Sequence, residues 1–304
     1  MRDRWTGTGV TLAVVSASLF LGCAPRAPEP VQRALRADPP FGSDPGEERR
    51  IAGAEGWLHG RSLGLGPALP VVFMHGVGGS HRFFDPQLAE FRGSRRVVAF
   101  DQRGCGGSAD APGGNYDLDT RVGDLGKLVD VLRLETVVLV GHGTGGQVVA
   151  HYAERNPDRV LGLVLVNPVS GNAEAARIAD VPEPDFRPAI DRWLTTLLDG
   201  ASPETREMVH ASVQVARIPA MRAMLADAAS KDLPGSLAAY PGPVLILAAP
   251  DESVPGPLRP GIEVRRLSSG SHWSPLDAPD AVNAALREFL RPVDAATGRR
   301  RRSG

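Results

Sequence analysis

The chain has 304 residues, 42% of them hydrophobic and 23% charged, which is enough apolar material for one large core with an insertion rather than two equal domains. Its 34 basic and 35 acidic residues leave a formal net charge of −1, which excludes the basic footprint of a nucleic-acid-binding protein. Lys127 and Lys231 are the only lysines beside many arginines, a compositional bias that decides nothing about chemistry.

At the N-terminus, Arg2 and Arg4 precede an apolar stretch from Val10 to Leu21 that is too short to span a bilayer, the pattern of an export signal. It ends in Leu19-Phe20-Leu21-Gly22-Cys23, which resembles the bacterial lipoprotein signal, where a small residue precedes a cysteine that becomes lipid-modified. The resemblance implies a signal peptide over 1–22, a lipid on Cys23 and an extracytoplasmic, membrane-anchored place in the bacterial envelope. A plain secretory signal is the alternative. Each buried methylene of an acyl chain contributes about 0.8 kcal/mol, so several chains make a stable anchor. Residues 24 to 49 are rich in Pro, Arg and acidic groups without apolar periodicity, so 23–49 reads as a flexible tether. Cys105 is the only other cysteine, which leaves the processed chain no partner for an internal disulfide.

From about residue 50 to 292 apolar runs alternate with helical segments, the pattern of a mostly parallel sheet covered on both faces. Trp57 to Leu63 reads as an antiparallel edge hairpin. Strands are expected at Val71–His75, Arg96–Asp101, Thr136–Val140, Leu161–Asn167, Val244–Ala248 and Ile262–Leu267, with helices at Phe84–Phe91, Thr120–Leu134 and Pro279–Leu290. Between 170 and 240 the strand rhythm stops and helices are expected at Ala189–Leu198, Pro203–Arg217 and Ala220–Ala229. Such an insertion would lie over the strand ends as a lid, where Trp193, Met208 and Met221 could line a pocket or simply pack the lid onto the sheet. Residues 293–304, with Arg299 to Arg302, read as a disordered basic tail.

One turn carries the chemistry. Val137-Val138-Leu139-Val140 runs into Gly141-His142-Gly143-Thr144-Gly145-Gly146, followed by helical spacing, the strand–turn–helix context of the G-x-S-x-G nucleophile elbow. The middle position falls on Gly143, not serine. Centring the pattern on Thr144 would place His142 where the turn has least room, so Thr144 is the weaker alternative for the elbow position. Cys105 lies in the glycine-rich turn Arg103-Gly104-Cys105-Gly106-Gly107, where a small residue simply fits.

With His75-Gly76-Val77-Gly78-Gly79-Ser80 after the first central strand, Asp101-Gln102-Arg103-Gly104-Cys105-Gly106-Gly107-Ser108, the elbow, and Asp251 followed by His272, the chain resembles the α/β-hydrolase superfamily over about 50–292, in its prolyl-aminopeptidase and small-esterase branch. The resemblance implies an α/β-hydrolase fold, Asp251 as acid, His272 as base, and backbone N–H groups of Val77 and Thr144 as oxyanion donors. Glu252 is a minor alternative acid, because the segment after Ala248 is one residue short of the family's spacing. Only the attacking hydroxyl is missing.

No metal-ligand set, dinucleotide fingerprint or phosphate loop is visible, and no cofactor is expected. The leading expectation is a membrane-anchored protein that binds a small, mostly apolar ester- or amide-like ligand, with weak or no covalent catalysis. The alternatives are a hydrolase in which His272 and Asp251 activate water or in which Thr144 or a lid hydroxyl such as Ser170 attacks, and an envelope protein-interaction module.

Overall fold

The computed structural model describes residues 48–303, with side chains through 297. The signal segment, Cys23 and nearly all of the tether lie outside the described residues. Among the described residues, no helix is long and apolar enough to cross a membrane.

A seven-stranded sheet forms the centre. Strand β1 (Glu48–Gly53) pairs antiparallel with β2 (Gly56–Met74), Glu48 opposite Arg61. Strand β2 is long and bent, so that both of its arms flank β3 (Arg95–Phe100): Gly60 to Leu63 run down β3 from Phe100 to Val97, and Val71 to Met74 run up it from Val97 to Phe100. The expected edge hairpin at Trp57–Leu63 and the expected strand at Val71–His75 share this one strand, which bends at the Gly- and Pro-rich stretch 64–67. The remaining strands run parallel in the order β2, β4 (Val137–His142), β5 (Val160–Val166), β6 (Val244–Ala248) and β7 (Ile262–Arg266).

Alternation along these strands builds two cores, because successive side chains point to opposite faces. Val71, Phe73, Val97, Ala99, Val138, Val140, Val164, Val166, Leu245 and Leu247 are buried on one face. There they meet α1 (Asp85–Phe91) through Leu88 and the last helix through Leu286 and Leu290. Val72, Met74, Val98, Phe100, Leu139, Leu163, Leu165 and Ile246 are buried on the other. There they meet α2 (Leu118–Val131) through Leu125 and Leu128, and α3 (Gly145–Arg155) through Val148 and Val149. Each such aliphatic side chain contributes about 1.5–3 kcal/mol.

Between β5 and β6 the chain forms α4 (Ala173–Ala179), α5 (Glu183–Leu197), α6 (Pro203–Val215), α7 (Ile218–Ser230) and α8 (Leu233–Ala239), the insertion expected over 170–240. A buried ion pair between Arg121 of α2 and Asp227 of α7 ties this insertion to the body. After β7, a single turn α9 (Ser274–Asp277) leads into α10 (Pro279–Ser303). This last helix continues through Pro292 to Ser303 where the sequence suggests disorder from 293, and buried Val293 extends its apolar face past the proline.

Two histidines end strands inside the core. His75 donates Nδ1–H to the Gly76 carbonyl at 2.8 Å and accepts the Gln102 N–H on Nε2 at 2.9 Å. His142 donates Nε2–H to the His272 carbonyl at 2.8 Å. Burial, chiefly, lowers His75 to about 4 and His142 to about 3. Both stay neutral in the fold while the unfolded chain, with ordinary values near 6.5, takes up protons, so stability falls as pH drops below about 6.5. His59, raised chiefly by its hydrogen bond to Asp101, acts in the opposite sense and only above that value. Urea unfolding is expected to give a stability lower at about pH 5 than at about pH 7 by about 2 kcal/mol or more; equal stabilities would contradict the buried neutral imidazoles.

Candidate active site

The turn between β4 and α3 holds the key backbone conformation. Gly143 has φ +54°, whereas Thr144 has an ordinary helical φ of −69°. The left-handed residue is thus 143, which fixes the register of the elbow. A Cβ on Gly145 would lie 2.4 Å from the Met74 carbonyl oxygen, and one on Gly141 would lie 2.6 Å from Val149 Cγ2. Strand and helix therefore approach too closely for any side chain at the flanking positions.

A Cβ on Gly143 would stand 3.2 Å from His272 Nε2. The position thus faces the imidazole directly. His272 is itself buried, and its Nδ1–H donates to Glu252 Oε1 at 2.6 Å. Asp251, the acid expected from the family's spacing, is exposed and takes no part in this bond. The reason lies in the turn after β6. The Glu252 N–H bonds back to the Ala249 carbonyl at 3.2 Å, and Arg266 Nη1 donates to the carbonyls of Ala249, Pro250 and Glu252 at 3.2, 3.1 and 2.8 Å. That tight clasp presents residue 252, not 251, to the histidine.

Asn167, at the end of β5, is a positioning residue that sequence reasoning missed. Its φ is +46°, a conformation Asn tolerates better than most residues. Its side chain accepts the Ala249 N–H at 2.7 Å and donates to the His272 carbonyl at 2.7 Å and to Ser274 Oγ at 3.0 Å. One amide thus holds the acid turn and the base loop together. The only sequence signal for it is the Asn167-Pro168 pair closing an apolar strand.

The expected oxyanion donors come together. The loop after β2 carries Val77, and a Cβ on Gly76 would lie 3.3 Å from the Thr144 nitrogen, so this loop and the elbow are in contact. Neither the Val77 nor the Thr144 N–H is taken up by the turn and loop hydrogen bonds among the described residues. Gln102 steadies the loop by donating Nε2–H to the His75 carbonyl, and Arg121 Nη1 donates to Gln102 Oε1 at 3.3 Å. The ion pair of Arg121 with Asp227 extends this chain of contacts to the lid.

A cavity of about 20 Å³ is enclosed by Gly76, Val77, Gly143, Thr144, His272 and Trp273, with Trp193, Leu194 and Leu197 of α5 as its roof. That is room for about one water. On its lining, His142 Nδ1, Thr144 Oγ1 and Trp273 Nε1 are buried without a partner among the described residues. Of the expected lid residues, Trp193 lines the cavity, Met208 only packs against the core, and Met221 is buried against Gly78 with its sulfur 3.1 Å from where a Cβ would be. Ser170 is exposed and donates to the Lys231 carbonyl at 3.2 Å, away from the site. Cys105 is buried, and burial pushes its thiol up to about 12, which leaves it unreactive. A larger open groove of about 700 Å³ lies at the opposite end of the sheet, lined by residues such as Pro157, Pro243, Phe289 and Pro292, and holds none of this constellation.

Residues 71–285 match the model of the alpha/beta hydrolase family. A putative carbamate hydrolase RutD of Variovorax paradoxus (strain S110) is 30% identical over 259 residues, covering 78% of this chain and 97% of that protein. Among solved structures, a thermophilic esterase from Thermogutta terrifontis superposes with a TM-score of 0.70 at 24% identity, covering 82% of this chain and 99% of the esterase. The enol-lactonase from Burkholderia xenovorans LB400 gives 0.66 at 22%, covering 80% and 100%. By sequence over most of its length, and by fold, the chain belongs to the alpha/beta hydrolase family.

Proposed function

We propose that this chain holds a small, mostly apolar ester- or amide-like ligand beneath its lid, with weak or no covalent catalysis, and that a lipid on Cys23 keeps it at a bacterial membrane surface. The observation that carries the reading is Gly143, which faces His272 Nε2 from the elbow yet offers no hydroxyl. Losing a triad nucleophile costs on the order of a millionfold in turnover, while an oxyanion hole and binding alone retain roughly a thousandfold over water. The closed cavity has room for about one water, so a ligand enters only as α5 moves aside, and its class follows from the lining. Leu194, Leu197, Val169 and Phe83 give apolar contact, and two free N–H donors suit a carbonyl oxygen. The names of the relatives, a carbamate hydrolase, an esterase and an enol-lactonase, describe carbonyl compounds of the same kind.

A second reading rests on the 2.6 Å contact between His272 and Glu252 beside a cavity with room for about one water. In it His272 Nε2 takes a proton from water as the oxygen attacks the ligand carbonyl, and the imidazolium returns that proton to the leaving group. Any wild-type turnover would then vanish in His272→Ala, and a turnover unchanged by that substitution would end this reading.

Restoring the hydroxyl tests the leading proposal. Gly143→Ser is expected to label with a fluorophosphonate and to cleave short-chain p-nitrophenyl esters roughly a thousandfold or more faster than wild type. His272 must give way by a few tenths of an ångström for the new Cβ, and the left-handed backbone costs the variant about 1–3 kcal/mol of stability. Wild-type labelling in the elbow would sink the proposal. Adding Glu252→Gln to the serine variant should lower kcat about 10⁴-fold, whereas Asp251→Asn should leave it nearly unchanged; the reverse ranking would return the acid role to Asp251. For the anchor, Cys23→Ala is expected to move the chain from the membrane to the soluble fraction, and a chain still sedimenting with membranes would rule out lipidation at that residue.

A further inference from the structure

Outside the site, His59, His81 and Asp101 converge, one potential ligand atom from each lying within 4.8 Å of the others. They come from three places: the first arm of β2, the helical turn after the Val77 loop, and the end of β3. Asp101 Oδ1 is 2.8 Å from His81 Nδ1, and its Oδ2 is 3.2 Å from His59 Nδ1. Each carboxylate oxygen is also fixed by a backbone N–H, from His81 at 2.7 Å and from Gly107 at 2.8 Å. Asp101 and His81 are buried, while the His59 side chain is 24% exposed and gives a path to solvent. Gly106, at φ +50°, keeps the carboxylate uncrowded, since a Cβ there would lie 2.2 Å from Oδ2.

The outer contact of His59 is informative. Glu48 Oε2 is 3.4 Å from its Nε2. With a carboxylate at each ring nitrogen, His59 either donates Nδ1–H to Asp101 or, with its proton on Nε2 toward Glu48, presents the Nδ1 lone pair. An ion bound to that lone pair would take the place of the proton shared with Asp101, while Glu48 accepts from Nε2–H. This is the arrangement by which metal-bound histidines are oriented, one ring nitrogen on the metal and the other donating to a carboxylate. His81 Nε2 is buried without a partner among the described residues. Moving the His81 proton from Nδ1 to Nε2 therefore forfeits only the bond to Asp101, which a metal would replace.

We propose that His59, His81 and Asp101 form a site for a divalent transition-metal ion of the zinc class, with solvent completing its coordination at the exposed edge of His59. Imidazole and carboxylate ligands suit such ions. With bonds of about 2.0–2.2 Å, tetrahedral ligand atoms stand roughly 3.3–3.5 Å apart. The three ligand atoms lie within 4.8 Å of one another, with the imidazole nitrogens 2.8 and 3.2 Å from opposite oxygens of the Asp101 carboxylate, so side-chain rotations must draw them together around one ion. A bound ion would pin the loop that carries Val77 to β3 and to the first arm of β2.

Co²⁺ added to the purified full-length chain, metal-stripped and carrying no histidine tag, is expected to give visible d–d absorption saturating at one ion per chain. Zn²⁺ should displace it and raise Tm by about 5–10 °C at roughly a hundred times Kd. His59→Ala should abolish the absorption. Glu48→Gln, at an exposed residue with no role in folding the core, should weaken binding about 10-fold or more. No absorption in wild type would show that the three groups merely share protons and would overturn the proposal. Absorption that persists in His59→Ala, or an affinity unchanged in Glu48→Gln, would overturn it as well.

Discussion

The close approach of β4 and α3 at the elbow is the constraint on which the rest of the site depends. With Gly145 against the Met74 carbonyl and Gly141 against Val149, the backbone between them has one way to turn, and it leaves residue 143 at positive φ facing His272 Nε2. The same turn exposes the Thr144 N–H beside the Val77 loop. None of this geometry uses a side chain at 143. A glycine there offers no attacking atom and avoids the backbone strain of about 1–3 kcal/mol that a side chain would carry, and the framework stands without one.

The base and its acid are held by contacts equally remote from the missing hydroxyl. Asn167 bridges the Ala249 turn and the His272 carbonyl, and Arg266 closes the turn that carries Glu252. On the other side, the chain of contacts from Asp227 through Arg121 and Gln102 to His75 links the lid to the oxyanion loop. Buried polar groups joined in this way fix one arrangement, because breaking any member leaves an unpaired group in a low-dielectric interior. On the proposed reading, the site stays preorganised for a carbonyl ligand without a side chain at 143.

Much of this was legible in the sequence because the responsible physics is local. Strand alternation and the glycines of the elbow are fixed by steric rules acting over a few residues, while His272 after the last strand is expected from the family resemblance. The misses lie where distant segments decide. The one-residue-short segment after Ala248 leaves Glu252 open as the minor alternative, but whether Asp251 or Glu252 meets His272 is decided by one backbone bond to Ala249 and by an arginine from β7. The role of Asn167 exists only once β5, β6 and the histidine loop are adjacent. Trp57–Leu63 and Val71–His75 read as separate elements in the sequence, yet pairing of both arms with β3 carries β2 through the bend between them. Met221, whose spacing suits either a pocket or the packing of the lid, takes the packing role against Gly78.

The account stands or falls on whether acid and base remain joined in the wild-type chain. Proton NMR of selectively labelled histidines measures this directly, since an Nδ1–H held 2.6 Å from a carboxylate oxygen is strongly deshielded and protected from exchange. A His272 Nδ1 proton with that signature in wild type, retained in Asp251→Asn and lost in Glu252→Gln, is the predicted result. Its absence from wild type, in a chain whose other buried imidazole protons are visible, would contradict a preorganised site.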